Sequence, residues 1–277
     1  DEMGNGGTLE DAVKYALGKG IKPLLWYNSS TNWIGPGPLY RLNKKENREK
    51  EYAWLNNMGI AGIKVDFFSG DSGCTMNYYL DLLEDAVKYK LMINFHGATI
   101  PRGWQRTYPH MMSVEGVYGA EWYNNAPILT NRAAEHNATL PFTRNVVGPM
   151  DYTPGTFSNS QHPHITSYAH ELALPVIFES ALQHMPDRPS VYYSLPAPVK
   201  KLLSELPTAW DDTKLLGGYP GKEVIIARRK GEVWYIGGVN GTNEASTLHV
   251  PLDKIPVSGK KISLFKDGVD AVSYTHL

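Results

Sequence analysis

Apolar positions in the first two-thirds of the chain alternate between two spacings. Leu9, Val13, Ala16 and Leu17 recur at helical intervals, and the short apolar run "IKPLLWYN" follows them. The polar stretch "NKKENREKEYAWLNNMG" predicts an exposed helix stopped by Gly59, and "IAGIKVDFF" then reads as a strand. Met76, Tyr79, Leu80, Leu83 and Val87 form a second helical stripe ahead of the strand "KLMINFHG", and "MMSVEGV" is the next apolar run. After a loop-rich stretch, "RNVVGPMDY" and "ELALPVIFES" continue the series, which gives about six strands in all. Apolar strands alternating with helices predict a parallel sheet covered by helices. Both a (β/α)8 barrel and an open doubly wound sheet fit that alternation. No glycine-rich phosphate loop follows any strand, which removes support from a dinucleotide-binding sheet.

The pattern changes after about residue 200. "KEVIIARRKGEVWYIGGVNGTNEASTLHVPL" alternates apolar and polar positions around "RKGE" and "NGTN" turns, and "GKKISLFKDG" adds another strand. The predicted fold class is therefore α/β, a partial TIM (β/α)8 barrel over residues 1–198 lacking its first strands, followed over residues 199–277 by a small antiparallel all-β domain. The chain opens within a loop and stops in a strand-like region, so we read it as part of a longer protein.

One strand breaks its own rule. In "AGIKVDFFSGD" Ile63 and Val65 suit a strand covered on both faces, whereas Lys64 and Asp66 point together to the opposite face. An ionised group removed from water costs several kcal/mol unless it is paired. Polar residues recur at the ends of the other strands as Asn28, His96, Glu115 and Asp151. Groups projecting from the C-terminal ends of several strands are how a barrel builds an active site. Asp66, kept ionised by a neighbouring cation, could attack an anomeric carbon, the alternative being a structural Lys64–Asp66 pair. Glu115 and Glu121 in "SVEGVYGAEWYNN" could supply the acid partner of glycoside chemistry, or be solvated loop glutamates. His96 could hydrogen-bond a sugar hydroxyl, or be a packing residue. Trp26, Lys64, His96 and Asp151 stand at successive strand ends and are expected to surround one monosaccharide. His162 and His164 in "QHPHI" lack a third ligand at zinc spacing and read as loop residues.

Composition narrows the classes. The 277 residues carry a formal net charge of -1 and are 42% hydrophobic, so no basic surface for nucleic acid and no apolar run able to span a bilayer is present. The single cysteine, Cys74, excludes an internal disulfide. The 17 tyrosines and 7 tryptophans include several in Gly/Asn/Pro-rich loops, a usage common in sugar clefts and also in plain loop packing.

The segments "GIKVDFFSGD", "MINFHGATIPRGWQRTYP", "SVEGVYGAEWYN", "TRNVVGPMDYTPGTF", "ELALPVIFESALQHMPD" and "LPTAWDDTKLL", taken in order, resemble glycoside hydrolase family 97, the calcium-dependent α-glycosidases. The resemblance implies a catalytic barrel followed by a small β domain, and an N-terminal β-sandwich domain and first barrel strands outside this chain. Inverting members carry base glutamates at positions that here read Asn28 and Gly97. Retaining members carry a nucleophilic aspartate where this chain has Asp66. The family's general acid matches Glu121 and its calcium-binding glutamate matches Glu115, with Ca²⁺ placed beside Glu121. The resemblance thus implies a retaining enzyme acting on terminal α-galactosides. The alternatives are an inverting α-glucosidase of the same family and an inactive barrel that binds carbohydrate. It also implies a periplasmic or secreted protein.

Overall fold

The computed structural model describes residues 6–29, 41–123, 127–159, 163, 165–268 and 274–276, so His162 and His164 lie outside the described residues. The chain forms two compact units, residues 1–116 and 117–277.

The first unit holds strands β1 (Leu24–Asn28), β2 (Gly62–Asp66), β3 (Met92–Phe95) and β4 (Met111–Val114) in one parallel sheet of order β1-β2-β3-β4. Helices α1 (Leu9–Gly18), α2 (Lys45–Met58), α3 (Gly73–Lys88) and the short α4 (Trp104–Thr107) connect them. Each helix begins or ends for a local reason. Thr8 and Asp11 close a capping box on α1, and the Ser72 hydroxyl accepts the Thr75 amide at the start of α3. All three long helices end on a residue in the left-handed region, Gly20 (φ 75°), Gly59 (φ 88°) and Lys90 (φ 54°). The next amide then reaches back five residues, from Ile21 to Ala16, Ile60 to Leu55 and Leu91 to Ala86, at 2.9–3.1 Å.

The sheet separates its residues by face. Ile63, Val65, Ile93, Phe95, Met111 and Val114 are buried with Tyr52, Leu55, Tyr79, Leu82 and Leu83 of α2 and α3. Burying that apolar face is the main stabilising contribution to the unit. The other face carries Trp26, Lys64, Asn94 and Ser113 in one register row, with Asn28 opposite Asp66 one pleat further on. A bulge in β4 keeps this row in phase. Ile93 pairs with Met111 but Asn94 pairs with Ser113, so Met112 is an extra residue and Ser113 returns to the polar face. The α2 segment is less exposed than its polarity predicts. Arg48, Tyr52 and Leu55 are buried, and the Arg48 Nε and Nη2 both donate to Asp85 Oδ2 of α3, at 2.8 and 2.6 Å.

The second unit contains α5 (Pro127–Thr130), α6 (Ala133–Thr139), α7 (Tyr168–Ile177), α8 (Pro189–Ser194) and α9 (Ala197–Glu205). Strands β5 (Asp212–Tyr219), β6 (Glu223–Lys230) and β7 (Val233–Asn240) follow as an antiparallel sheet, and β8 (Phe265–Asp267) pairs with β9 (Tyr274–His276). The predicted "RKGE" turn joins β6 to β7, with Gly231 at φ 55°. Leu174, Ile177 and Phe178 pack on Val224, Ile226 and Val239. A Cβ on Gly237 would stand 2.8 Å from Ile177 Cγ1, so this glycine admits the helix to the sheet.

Two expected strands take other forms. "RNVVGPMDY" begins as a 3₁₀ turn, Arg144–Val147, and "ELALPVIFES" is mostly helix α7. Among the described residues the parallel sheet therefore has four strands, not about six. A short apolar run has no period of its own to separate buried helix from buried strand. Here the helix is secured from outside, because Arg228 of β6 donates to the carbonyls of Val176 (2.6 Å) and Ile177 (2.8 Å) at its C-terminus.

Candidate active site

The C-terminal ends of β2, β3 and β4 bring three ionisable groups to the polar face of the parallel sheet: Asp66, His96 and Glu115, 7%, 1% and 8% exposed. The partners of Asp66 are specific. Its Oδ2 accepts the indole N–H of Trp26 at 2.9 Å, and its Oδ1 accepts the backbone N–H of Phe67 at 2.9 Å. The two hydrogen bonds fix the direction of both carboxyl oxygens. Trp26 is half exposed and meets Phe67 edge to face at 5.7 Å.

The backbone after Asp66 turns sharply. Phe67 has φ 68°, a conformation that costs a non-glycine residue about 1 kcal/mol. It is held there from two sides. Ser29 Oγ donates to the Phe67 carbonyl at 2.7 Å, and the Phe68 amide donates to the Gly97 carbonyl at 2.9 Å.

Glu115 is fixed by the same loop. Its Oε2 accepts the Gly97 amide at 2.6 Å, and His96 Nδ1 lies 3.6 Å from that oxygen. A carboxylate oxygen is one of the donor types that Ca²⁺ takes among its six to eight oxygens. Glu115 therefore fits a ligand for a hard cation, with His96 beside it.

In the second unit Glu121 lies in the 3₁₀ turn Ala120–Tyr123 and is exposed. Asp151 is completely buried. Its Oδ2 meets His184 Nδ1 at 2.5 Å and its Oδ1 accepts the His184 amide at 3.2 Å. The residue that this carboxylate orients, His184, was not foreseen from the sequence. It sits in the loop "QHMPD", whose pattern gives no sign of an aspartate thirty-three positions earlier. Two other residues were missed as contributors: Phe67, whose strained backbone supplies the amide to Asp66, and Trp26 in its role as donor.

Comparison with known proteins adds family evidence to this geometry. The family model described as glycoside hydrolase 97 matches residues 2–117, and that described as glycosyl-hydrolase 97 C-terminal, oligomerisation, matches residues 209–276. A probable retaining α-galactosidase of Streptomyces bingchenggensis is 38% identical over 264 residues, covering 95% of this chain and 38% of that protein. A retaining α-galactosidase of Bacteroides thetaiotaomicron is 34% identical over 274 residues, covering 95% of this chain and 39% of that protein. The chain thus spans about two-fifths of the length of the curated relatives it matches. The crystal structure of a β-arabinopyranosidase superimposes with a TM-score of 0.89 at 35% identity, covering 97% of this chain and 44% of that one. With the two family models matched in order on a parallel α/β unit and an antiparallel sheet, the chain belongs to glycoside hydrolase family 97.

Proposed function

We propose that this chain is the catalytic segment of a longer glycosidase that cleaves terminal α-galactosides with retention of configuration. The observation that carries the reading is the Asp66 carboxylate, held by two N–H donors at the end of β2 beside a residue without a side chain, Gly97. The positions that carry base glutamates in inverting relatives read Asn28 and Gly97, which cannot deprotonate water. In the proposed reaction an Asp66 oxygen attacks the anomeric carbon while the Glu121 carboxylic acid protonates the departing glycosidic oxygen. Glu121, now a carboxylate, then takes a proton from water, whose oxygen displaces Asp66 from the anomeric carbon. Two displacements restore the starting configuration. Glu115 and Glu121 would hold Ca²⁺, which when bound would supply positive charge beside these carboxyl groups and order the acid loop. Lys64 and His96 would contact sugar hydroxyls.

A second reading of the substrate is favoured by the likeness to a β-arabinopyranosidase. A β-L-arabinopyranoside has the ring configuration of an α-D-galactoside without its hydroxymethyl group, so one pocket can take both. The test is hydrolysis of aryl α-D-galactoside and aryl β-L-arabinopyranoside by the full-length protein, followed from mixing by proton NMR. The first-formed sugar should be the α-anomer of galactose. An initial β-anomer would identify an inverting enzyme, and no turnover of either glycoside would leave a carbohydrate-binding barrel.

A further inference from the structure

The space at Gly97 and the indole nitrogen of Trp26 converge on one carboxylate. An ideal Cβ on Gly97 would lie 2.9 Å from Asp66 Oδ1, 2.8 Å from the Phe67 nitrogen and 3.0 Å from Phe67 Cα. Gly97 also has φ 47°, where any side chain is strained. The neighbours cannot yield cheaply. Phe67 is backbone, braced by Ser29 through its carbonyl, and its amide is the donor to Asp66 Oδ1. The Gly97 carbonyl receives the Phe68 amide and its own amide holds Glu115, so position 97 is tied on both sides. On the far side of the carboxylate, Oδ2 is held by a donor that crosses from β1 to β2, between residues forty positions apart.

We propose that Trp26 and Gly97 are positioning residues for Asp66: Trp26 holds one oxygen through its N–H, and the missing side chain at position 97 is the room the other oxygen occupies. This rests on Asp66 as the attacking group. A nucleophile must stand within near-attack distance and angle of the anomeric carbon, and a displacement of about 1 Å costs on the order of 10²-fold in rate. Any side chain at position 97 either turns the carboxylate away or moves the Phe67 amide that anchors it.

The experiment compares Gly97→Ala, Trp26→Phe and Asp66→Gly in the full-length protein with an aryl α-galactoside, measuring kcat, KM and the circular dichroism melt of each. Gly97→Ala should lower kcat about 10²-fold and Trp26→Phe about tenfold or more, each leaving KM within about threefold because the ground-state sugar contacts persist. Azide supplied to Asp66→Gly replaces the carboxylate as nucleophile. In that background Trp26→Phe should change the azide-dependent rate by less than about threefold, since the group it positions is gone. If Gly97→Ala does not fold, Trp26→Phe and its azide pair decide the matter. Full kcat in Trp26→Phe, or an equal loss with and without Asp66, would overturn the positioning role while leaving the nucleophile assignment intact. An active Asp66→Gly without azide would instead overturn the assignment of Asp66 itself.

Discussion

In the second unit, buried Arg228 places Nε and Nη2 on the carbonyls of Val176 and Ile177 and Nη1 on the Thr213 hydroxyl at 2.9 Å. Buried Glu171 likewise accepts the amides of Gly155 (2.6 Å) and Thr156 (3.2 Å). In the first unit, Asp66 has one partner on a half-exposed tryptophan and the other on the residue next to it in sequence. The two regions bury charge for different ends. Arg228 and Glu171 join elements by satisfying backbone groups that would otherwise be orphaned. Asp66 links β2 only to the neighbouring strand β1, through Trp26, and its surroundings fix the direction of its oxygens. A charge whose partners hold the fold together is structural. A charge whose partners only aim it, at the end of a parallel strand, is a candidate reagent.

That contrast predicts opposite outcomes for the two kinds of substitution. The largest effect belongs to Asp66→Gly, expected to lower turnover of an aryl α-galactoside by about 10⁴-fold or more with little change in melting temperature, and to recover in part with azide. A large fall in melting temperature would move Asp66 into the structural class. Arg228→Met should do the reverse. It leaves two helix-end carbonyls without donors and should cost about 3 kcal/mol in denaturant unfolding, while activity per folded molecule is kept.

Glu171 sharpens the comparison through pH. Burial pushes its carboxyl up to about 7 from an ordinary 4.5, against the opposing pull of the Gly155 and Thr156 amides. Between those values the folded chain holds a proton that the unfolded chain has released. Its stabilising contribution is therefore complete below about 4.5 and declines as pH rises through about 7, by roughly 3 kcal/mol. Glu171→Gln should flatten that decline in urea unfolding measured from pH 4.5 to 8; an unchanged slope would show that another group causes it. A smaller effect is expected of calcium, with chelation lowering activity about tenfold and added Ca²⁺ restoring it. Full activity in metal-free buffer would remove the ion from the mechanism.

Much of the first unit was legible because its strands carry two messages at once. Ile63 and Val65 against Lys64 and Asp66 state both the buried face and the face bearing chemistry, and the register places them so. The Met112 bulge left no trace, since one extra residue in an apolar run does not alter its composition. Helix α7 was misread as a strand because its apolar run is short and its end is capped by Arg228, fifty-two residues from Val176. The same limit applies to the site. Asp66, His96 and Glu115 announce themselves as polar residues at strand ends. That His184 serves Asp151, or that Gly97 is an absence fitted to Asp66, depends on contacts that only the folded chain makes.

The three helix ends of the first unit hold a consequence for how far this chain can change. Two of them place glycine in the left-handed position, whereas the third places Lys90 there, at φ 54°. Lys90→Gly should relieve that conformation and raise stability by about 1 kcal/mol, read as a melting temperature a few degrees higher, with kcat and KM unaltered. Phe67 holds the same kind of backbone beside Asp66, and there relaxation would loosen the amide that aims the carboxylate. Of two equally strained residues, one can be relaxed freely and the other cannot. A lineage that first acquired glycine at position 90 would gain tolerance for otherwise destabilising changes around the sugar pocket, and so a wider range of substrates within its reach.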